Sequence, residues 1–119
     1  MGLFLGASCG SIEVKTIAVD FTELSIYSVL ERELNSLEIG ILVNNVGMTV
    51  DFAIPFYSIE NDKLIQDVIN CNCMSVARLS YIVIPGMIQR KKGIIINVGS
   101  MASTPFASMT HVYGASKVS

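Results

Sequence analysis

The pair of residues best suited to acid–base chemistry in this sequence is Tyr113 and Lys117. Their separation of four places both side chains on one face of a helix. A phenol ordinarily ionises near pH 10, and a nearby ammonium favours the ionised form, so a tyrosine in this position can exchange a proton with a developing alkoxide. Chance produces such a spacing in roughly one chain in six of this composition, and a solvated pair on a helix surface is the alternative interpretation.

Two further polar residues precede this pair at positions that suit carbonyl chemistry. Ser100 follows a predicted strand, where its hydroxyl can hydrogen-bond the same carbonyl oxygen and stabilise developing negative charge. The alternative is a serine that only begins a turn. Asn72 interrupts a long predicted helix, where asparagine is a mediocre helix former. A buried amide there can bend the helix and hold a water on a proton path, and on composition alone Asn70 is a rival for that role.

The elements that position these residues follow from the spacing of apolar side chains. Alternation or short apolar runs predict strands, and recurrence every three or four residues predicts helices. The predicted order is strand 12–20, helix 22–37, strand 39–43, irregular connection 48–60, helix 61–89, strand 94–98, loop 99–110 and a helix that begins near Tyr113. Pro85 is expected to kink the long helix or end its regular part. Such alternation predicts a parallel α/β sheet.

Polar or small residues follow the end of each predicted strand. Asp20, the run Asn44-Asn45-Val46-Gly47, and Gly99-Ser100 occupy these positions. Because ligands of open α/β sheets bind beyond the carboxyl ends of the strands, we expect these groups to meet at one binding edge.

Composition excludes several classes of function. Apolar residues make up 51% of the 119 residues and charged residues 15%, with a net charge of −2 and no basic stripe, so nucleic acid is not an expected partner. The three cysteines and one histidine are too few and too scattered for a zinc site, and we expect no metal and buried free thiols. No run reaches the roughly 18 apolar residues of a transmembrane segment, and no signal peptide is recognisable.

The sequence Val43-Asn44-Asn45-Val46-Gly47, followed by Asn72, Ser100 and the Tyr113/Lys117 pair, resembles the Asn-Ser-Tyr-Lys tetrad and flanking motifs of the short-chain dehydrogenase/reductase family. Counting back from Ile84-Pro85-Gly86-Met87, the family's helix asparagine falls on Asn72 and not on Asn70. Within the family, the sequence most resembles the 17β-hydroxysteroid dehydrogenase and very-long-chain 3-oxoacyl-CoA reductase group, of which valine at position 46 is typical. The resemblance extends from about residue 12 to residue 117.

This resemblance implies a fold, a reaction and a role for each residue. It implies the central portion of an incomplete, Rossmann-like, doubly wound parallel α/β sheet, and an NADP-dependent reduction of a 3-oxoacyl-CoA or a 17-ketosteroid, with NAD as the open alternative. Tyr113 would be the acid/base, Ser100 would orient the substrate carbonyl, Lys117 would favour ionisation of the tyrosine and bind the nicotinamide ribose, and Asn72 would hold a relay water. Asp20, Asn44, Val46 and Gly47 would line the adenosine side of the cofactor. The group also implies membrane association in the endoplasmic reticulum and a role in lipid or steroid metabolism.

The amino-terminal residues depart from the family pattern. The family's glycine-rich turn receives the cofactor pyrophosphate, whereas Gly6 and Gly10 here are followed by Ile12 at the third glycine position. We therefore expect residues 1–11 to be an atypical leader, residues 12–117 to be a partial domain, and the isolated chain to be a truncated piece with negligible activity. The alternative is a non-catalytic isoform that associates with a full-length partner, and homo-oligomers are also open.

Overall fold

The computed structural model describes residues 2–3, 13–49, 55–101 and 111–117, with the backbone alone for residues 2, 3 and 111. The elements in chain order are β1 (Gly2–Leu3), β2 (Ile17–Ala18), a 3₁₀ turn (Leu24–Ile26), α1 (Tyr27–Asn35), β3 (Ile41–Asn44), a second 3₁₀ turn (Phe56–Ser58), α2 (Asp62–Ile69), a π-helical segment (Asn70–Met74), α3 (Ser75–Arg90), β4 (Ile94–Asn97) and α4 (His111–Ser116). The predicted α/β class is confirmed.

Strands β3 and β4 form a parallel pair, as predicted. Their register aligns Ile41 with Ile94 and Asn44 with Asn97, so both strands end at the same edge. Leu42 and Asn44 are buried on the helix side of β3, whereas Ile41 and the two isoleucines at the ends of the Ile94–Ile96 run are exposed. A strand buried on both faces was the expectation for that run, but among the described residues only one face of the pair is covered.

The predicted strand 12–20 is much shorter in the structure and pairs differently. Only Ile17–Ala18 is extended in a ladder, and its partner is Gly2–Leu3 in an antiparallel arrangement rather than β3. Residues 13–16 are exposed, and the Lys15 ammonium reaches across to the Glu33 carboxylate on α1 at 2.6 Å. The charged residues of this segment therefore remain at the surface, and the ladder is limited to the apolar residues that follow them.

Helices α2 and α3 and the π segment between them form one continuous helix, close to the predicted span 61–89. The Asn61 side chain caps its start by accepting a hydrogen bond from the Lys63 amide at 2.9 Å. The helix continues through Pro85 to Arg90, so proline does not end it. It stops at Lys91, which has a left-handed backbone (φ 54°), and the amide of Lys92 then bonds the Met87 carbonyl at 3.1 Å.

This long helix is long and apolar enough to meet a length and composition criterion for crossing a membrane, although it contains no unbroken apolar run of that length. The span Asp62–Arg90 has a best 18-residue window with mean hydropathy 1.3, of which 39% is buried within the chain. Its apolar residues Val68, Leu79 and Val83 are buried in the protein. A core helix of a soluble protein passes the same criterion, so this observation is weak support for a membrane span.

The core lies between α1, α3 and the helix side of β3. Its buried members are Phe21, Tyr27, Leu30, Leu34, Leu42, Cys71, Leu79, Ile82, Val83 and Met87. The expectation of buried thiols holds for Cys71, but Cys73 is exposed because it lies on the outer side of the same π turn. Cys9 lies outside the described residues.

Candidate functional site

Lys117 is a buried cation held at the carboxyl ends of the two parallel strands. Its backbone amide bonds the Tyr113 carbonyl at 3.1 Å, which continues α4 and places the two residues one helical turn apart, as predicted. The side chain is only 8% exposed, and its Nζ donates to the carbonyl oxygens of Val46 at 2.9 Å and Val98 at 3.4 Å. An ammonium has three protons, and the third has no acceptor among the described residues.

Gly47 allows the loop after β3 to approach this lysine closely. A Cβ atom at position 47 would lie 2.8 Å from Lys117 Cε and 2.9 Å from Nζ, closer than side-chain carbons approach one another in proteins. A side chain at this position would displace the end of the lysine, so the glycine is favoured by the placement of Lys117 and not by a left-handed backbone.

The amide of Asn72 fastens the same loop to the long helix. Asn72 is 2% exposed and lies in the π segment, a helical irregularity that is common at functional sites. Its Oδ1 accepts from the Met48 amide at 2.8 Å, and its Nδ2 donates to the Met48 carbonyl at 2.9 Å. Asn70, the rival on composition, instead donates to the Thr22 carbonyl at 2.9 Å. The relay-water role of Asn72 stays a prediction, and its second Nδ2 proton is also engaged within the chain.

Ser116 takes that second proton, and sequence reasoning assigned it no role. Asn72 Nδ2 donates to Ser116 Oγ at 2.8 Å, and Ser116 Oγ donates to the Tyr113 carbonyl at 2.8 Å. The serine therefore connects α4 to the π segment and fixes the helix that carries Tyr113 and Lys117. The signal in the sequence was its place immediately before Lys117, within the motif that attracted attention.

Asn44 and Asn97 close the strand ends beneath the lysine. Asn44 Nδ2 donates to Asn97 Oδ1 at 2.9 Å and lies 3.4 Å from Ser80 Oγ on α3. Asn44 is 3% exposed, and its Oδ1 has no hydrogen-bond partner among the described residues. Asn44 was expected to line the cofactor site, whereas Asn97 was not singled out.

Two cavities flank α4. A cavity of about 310 Å³ has a mixed polar and apolar lining, formed by Asn44, Asn72, Cys73, Val76, Ala77, Asn97, Val98, Ser116 and Lys117. The second is an open apolar groove of about 500 Å³, lined by Phe56, Ile65, Ile69, Cys73, Val112, Ala115 and Ser116. Of the predicted site residues, Asn44, Asn72 and Lys117 line the first cavity, which shares Cys73 and Ser116 with the apolar groove.

The remaining predicted residues lie around this centre. Tyr113 is half-buried on α4, and Ser100 is half-buried on the segment that leaves β4, two residues after the Val98 carbonyl that binds Lys117. Asp20 is exposed, and hydrogen bonds from the Thr22 amide and hydroxyl lower the pKa of its carboxyl. Burial raises the pKa of the Cys71 thiol; the charge of Lys117 opposes this rise, and that of Asp20 adds to it.

The sequence of the chain matches one protein family along almost its whole length. The family model for short chain dehydrogenases covers residues 6–119. The chain belongs to the short chain dehydrogenase family. Its arrangement of parallel strands with a Tyr-Lys helix at their carboxyl ends is the structural counterpart of that match.

Curated relatives within the family include fatty-acyl and steroid enzymes. The chain is 40% identical over 108 residues to a very-long-chain 3-oxoacyl-CoA reductase of Mus musculus, which covers 90% of this chain and 35% of that protein. It is 44% identical over 110 residues to a 17-beta-hydroxysteroid dehydrogenase type 3 of Danio rerio, covering 89% of this chain and 35% of that protein. The chain therefore spans about a third of the length of these relatives.

Solved structures of the family superpose on the chain. A bulky-bulky ketone specific alcohol dehydrogenase from Comamonas testosteroni aligns with a TM-score of 0.75 and 30% identity, over 85% of this chain and 40% of that one. A short-chain dehydrogenase from Sphingobium yanoikuyae in complex with NADPH aligns with a TM-score of 0.72 and 32% identity, over 82% of this chain and 38% of that one. The partial doubly wound α/β fold expected from the sequence is confirmed.

The described residues fit one half of a nicotinamide dinucleotide. Lys117 Nζ donates to two acceptors among the described residues, which leaves its third proton without a described partner, and the lysine lines the cavity of about 310 Å³ at the strand ends. The turn expected to receive the pyrophosphate spans residues 6–12, which lie outside the described residues, as does the division into a leader and a domain at residue 12. That division stays a prediction.

Proposed function

We propose that this chain carries the proton-transfer half of an NADP(H)-dependent carbonyl reductase. The observation that carries the proposal is the buried ammonium of Lys117, one helical turn from Tyr113 and anchored to the carbonyls that end two parallel strands. A cation so placed can bind a hydroxyl group and can stabilise negative charge that develops on a nearby oxygen during the reaction. A lysine on a helix surface without function would instead extend into solvent.

Each residue has a defined task in the proposed reaction. A bound nicotinamide cofactor would supply the hydride that reduces the carbonyl carbon. Ser100 hydrogen-bonds the carbonyl oxygen and orients it, and Tyr113 transfers its phenolic proton to that oxygen as negative charge develops. Lys117 stabilises the resulting phenolate and holds the ribose. Asn72 fixes the Met48 backbone, so that the loop after β3 keeps its shape, and this loop together with Asp20 would line the adenosine side.

The substrate class follows from the relatives and from the shape of the site. We propose a 3-oxoacyl-CoA or a 17-ketosteroid, as the names of the relatives state for those proteins. The open apolar groove beside α4 suits an acyl chain or a steroid skeleton, because its lining is almost entirely aliphatic and aromatic. NADP(H) is preferred over NAD(H) by likeness to the NADPH complex. Residence at the endoplasmic reticulum belongs to the same proposal and is tested by fractionation of cells that express the tagged chain.

The test is a single-turnover assay, because the isolated 119-residue chain is expected to have negligible steady-state turnover. The chain at stoichiometric concentration is incubated for hours with NADPH and either substrate, and the hydroxy product is measured by mass spectrometry. Product is expected from the parent chain and not from Tyr113→Phe, which keeps the ring and removes the transferable proton. Equal product from both chains, or none from the parent, would contradict the proposal.

A second candidate is a non-catalytic role through association with a full-length partner. The outer face of the β3–β4 pair favours it, because Ile41, Val43, Ile94 and Ile96 are all exposed there. Parallel sheets are normally covered on both faces. Light scattering of the chain mixed with a full-length short chain dehydrogenase should then show a complex that Val43→Lys abolishes. Ile88→Lys, which adds the same charge at an exposed site on α3, is the matched control, and self-association is scored in the same experiment.

A further inference from the structure

Asn97 has no task in the proposed reaction, yet its side chain lies where the two strands meet the site lysine. Asn97 is directly opposite Asn44 in the parallel register. Its Oδ1 accepts the hydrogen bond from Asn44 Nδ2 at 2.9 Å, and both residues line the cavity of about 310 Å³ together with Lys117. The two amides therefore form a cross-strand pair at the carboxyl ends of β3 and β4.

The two asparagines lie one and two residues before the valines whose carbonyls accept hydrogen bonds from Lys117 Nζ. Val98 follows Asn97 by one residue, and Val46 follows Asn44 by two. The backbone continues the strand pairing one step beyond the amides, because the Val98 amide donates to the Asn44 carbonyl at 2.9 Å. The distance between the two acceptors of Lys117 Nζ is thus set by how the strand ends are fastened together.

The chemical character of the pair indicates a purpose other than stability. Asn44 follows the apolar Leu42 on the same buried face of β3, and an apolar side chain would suit that environment. Instead the amide is buried with one acceptor, Oδ1, lacking a partner among the described residues. A buried unsatisfied polar group is unfavourable and requires an explanation. The bond to Asn97 is made by Nδ2 and does not satisfy Oδ1, but it fixes the strand ends in a single arrangement, which accounts for an amide at this position.

We infer that Asn97, acting through the amide of Asn44, is a positioning residue that holds the Val46 and Val98 carbonyls in place for the ammonium of Lys117. Asn97 does not touch the reacting groups. The inference deepens the proposed function and rests on it for its catalytic meaning, although the placement of the lysine can be measured without turnover.

The test measures how fast acetic anhydride acetylates Lys117 in the folded 119-residue chain, relative to the exposed Lys92, by peptide mass spectrometry. In Asn97→Leu the Lys117 rate is expected to rise about tenfold, the effect of loosening one charge-assisted hydrogen bond. Asn97→Asp, which keeps an acceptor oxygen for Asn44, should restore the parent rate. Ile96→Thr, a neighbouring change on the opposite face of β4, should leave the Lys117 rate unchanged.

A double variant tests whether Asn97 acts through Asn44. Adding Asn97→Leu to Asn44→Leu should produce no further rise, because the bond is already absent. An unchanged rate in Asn97→Leu, or additive effects in the double variant, would overturn the inference. If acetylation of all lysines rises, the variant is unfolded, and Asn97→Thr takes its place in the same comparison.

The inference and the proposed function fail in different ways. Heat denaturation of the parent chain with and without NADPH reports on cofactor binding. A selective change at Lys117 without any stabilisation by NADPH would support the positioning role and count against the reductase proposal. Stabilisation by NADPH with no response of Lys117 to Asn97→Leu would do the reverse.

Discussion

Asn72→Ala is expected to destabilise the chain strongly, because one buried side chain joins three parts of the site. The substitution removes two hydrogen bonds to the Met48 backbone, at 2.8 and 2.9 Å, and one to Ser116 Oγ at 2.8 Å. At about 1 kcal/mol for each bond, the free energy of unfolding should fall by about 2 to 4 kcal/mol, a large part of the roughly 5 to 15 kcal/mol typical of a small protein.

Asn70→Ala is the matched control for this prediction. It lies in the same π segment and loses one hydrogen bond, to the Thr22 carbonyl, and the two substitutions change helix propensity equally. With a urea dependence near 2 kcal/mol per molar, the midpoint followed by circular dichroism should fall by about 1 to 2 M for Asn72→Ala and by about 0.5 M for Asn70→Ala. A fall for Asn72→Ala no larger than that for Asn70→Ala would refute the assignment of Asn72 as the fastening residue.

Three further predictions follow from contacts at and around the site. Gly47→Ala should displace Lys117, because the flexible end of that lysine lies 2.8 Å from the added carbon. Acetylation of Lys117 should then be at least severalfold faster, while the urea midpoint stays nearly unchanged. The control is Gly40→Ala, whose added carbon meets nothing within 4 Å. Tyr27→Phe should be neutral or stabilising by up to about 1 kcal/mol, because the buried hydroxyl has no partner among the described residues. Burial raises the pKa of Tyr27, so the parent should lose stability as the pH rises above 10, where the unfolded tyrosine ionises first, and the variant should lose less in parallel urea titrations. Iodoacetamide should alkylate the exposed Cys73 well before Cys71, whose pKa is raised by burial, and equal rates in the folded chain would contradict the described packing.

The strongly periodic elements were predictable, and the exceptions have local causes. Helix α1, strands β3 and β4 and the long helix follow from apolar spacing, and the parallel pairing follows from the alternation of strands and helices. The pairing of Ile17–Ala18 with Gly2–Leu3 was not predictable, because it joins two short segments far apart in the chain by backbone bonds alone. Pro85 was expected to kink the long helix or end its regular part; the helix continues through Pro85 to Arg90, and a π-helical irregularity lies at residues 70–74, where polar side chains bond outside the helix.

The site likewise contains residues that could be identified from the sequence and residues whose importance is visible only from their contacts. Lys117, Tyr113 and Asn72 were identifiable because their order and separations together resemble a family motif, although the Tyr-Lys spacing alone is a weak signal and composition alone does not separate Asn72 from Asn70. Ser116 and Asn97 were not, because a serine on a helix and an asparagine at a strand end are common. Their importance comes from residues that contact them in the fold but are distant from them in the sequence.

A few polar residues of this apolar chain are buried, where they are unfavourable for folding. Asn44 has an acceptor without a partner among the described residues, Asn72 lies within a π turn, and Lys117 is a buried ammonium that donates to backbone carbonyl oxygens. A sequence optimised for stability would place apolar residues at each of these positions, since the surrounding core is aliphatic. Violations of the local rules that cluster at one edge of a sheet are the mark of a site kept for chemistry. Under the proposed function, neutral carbonyl partners would leave the positive charge of Lys117 available to a ligand, whereas a carboxylate partner would compensate it.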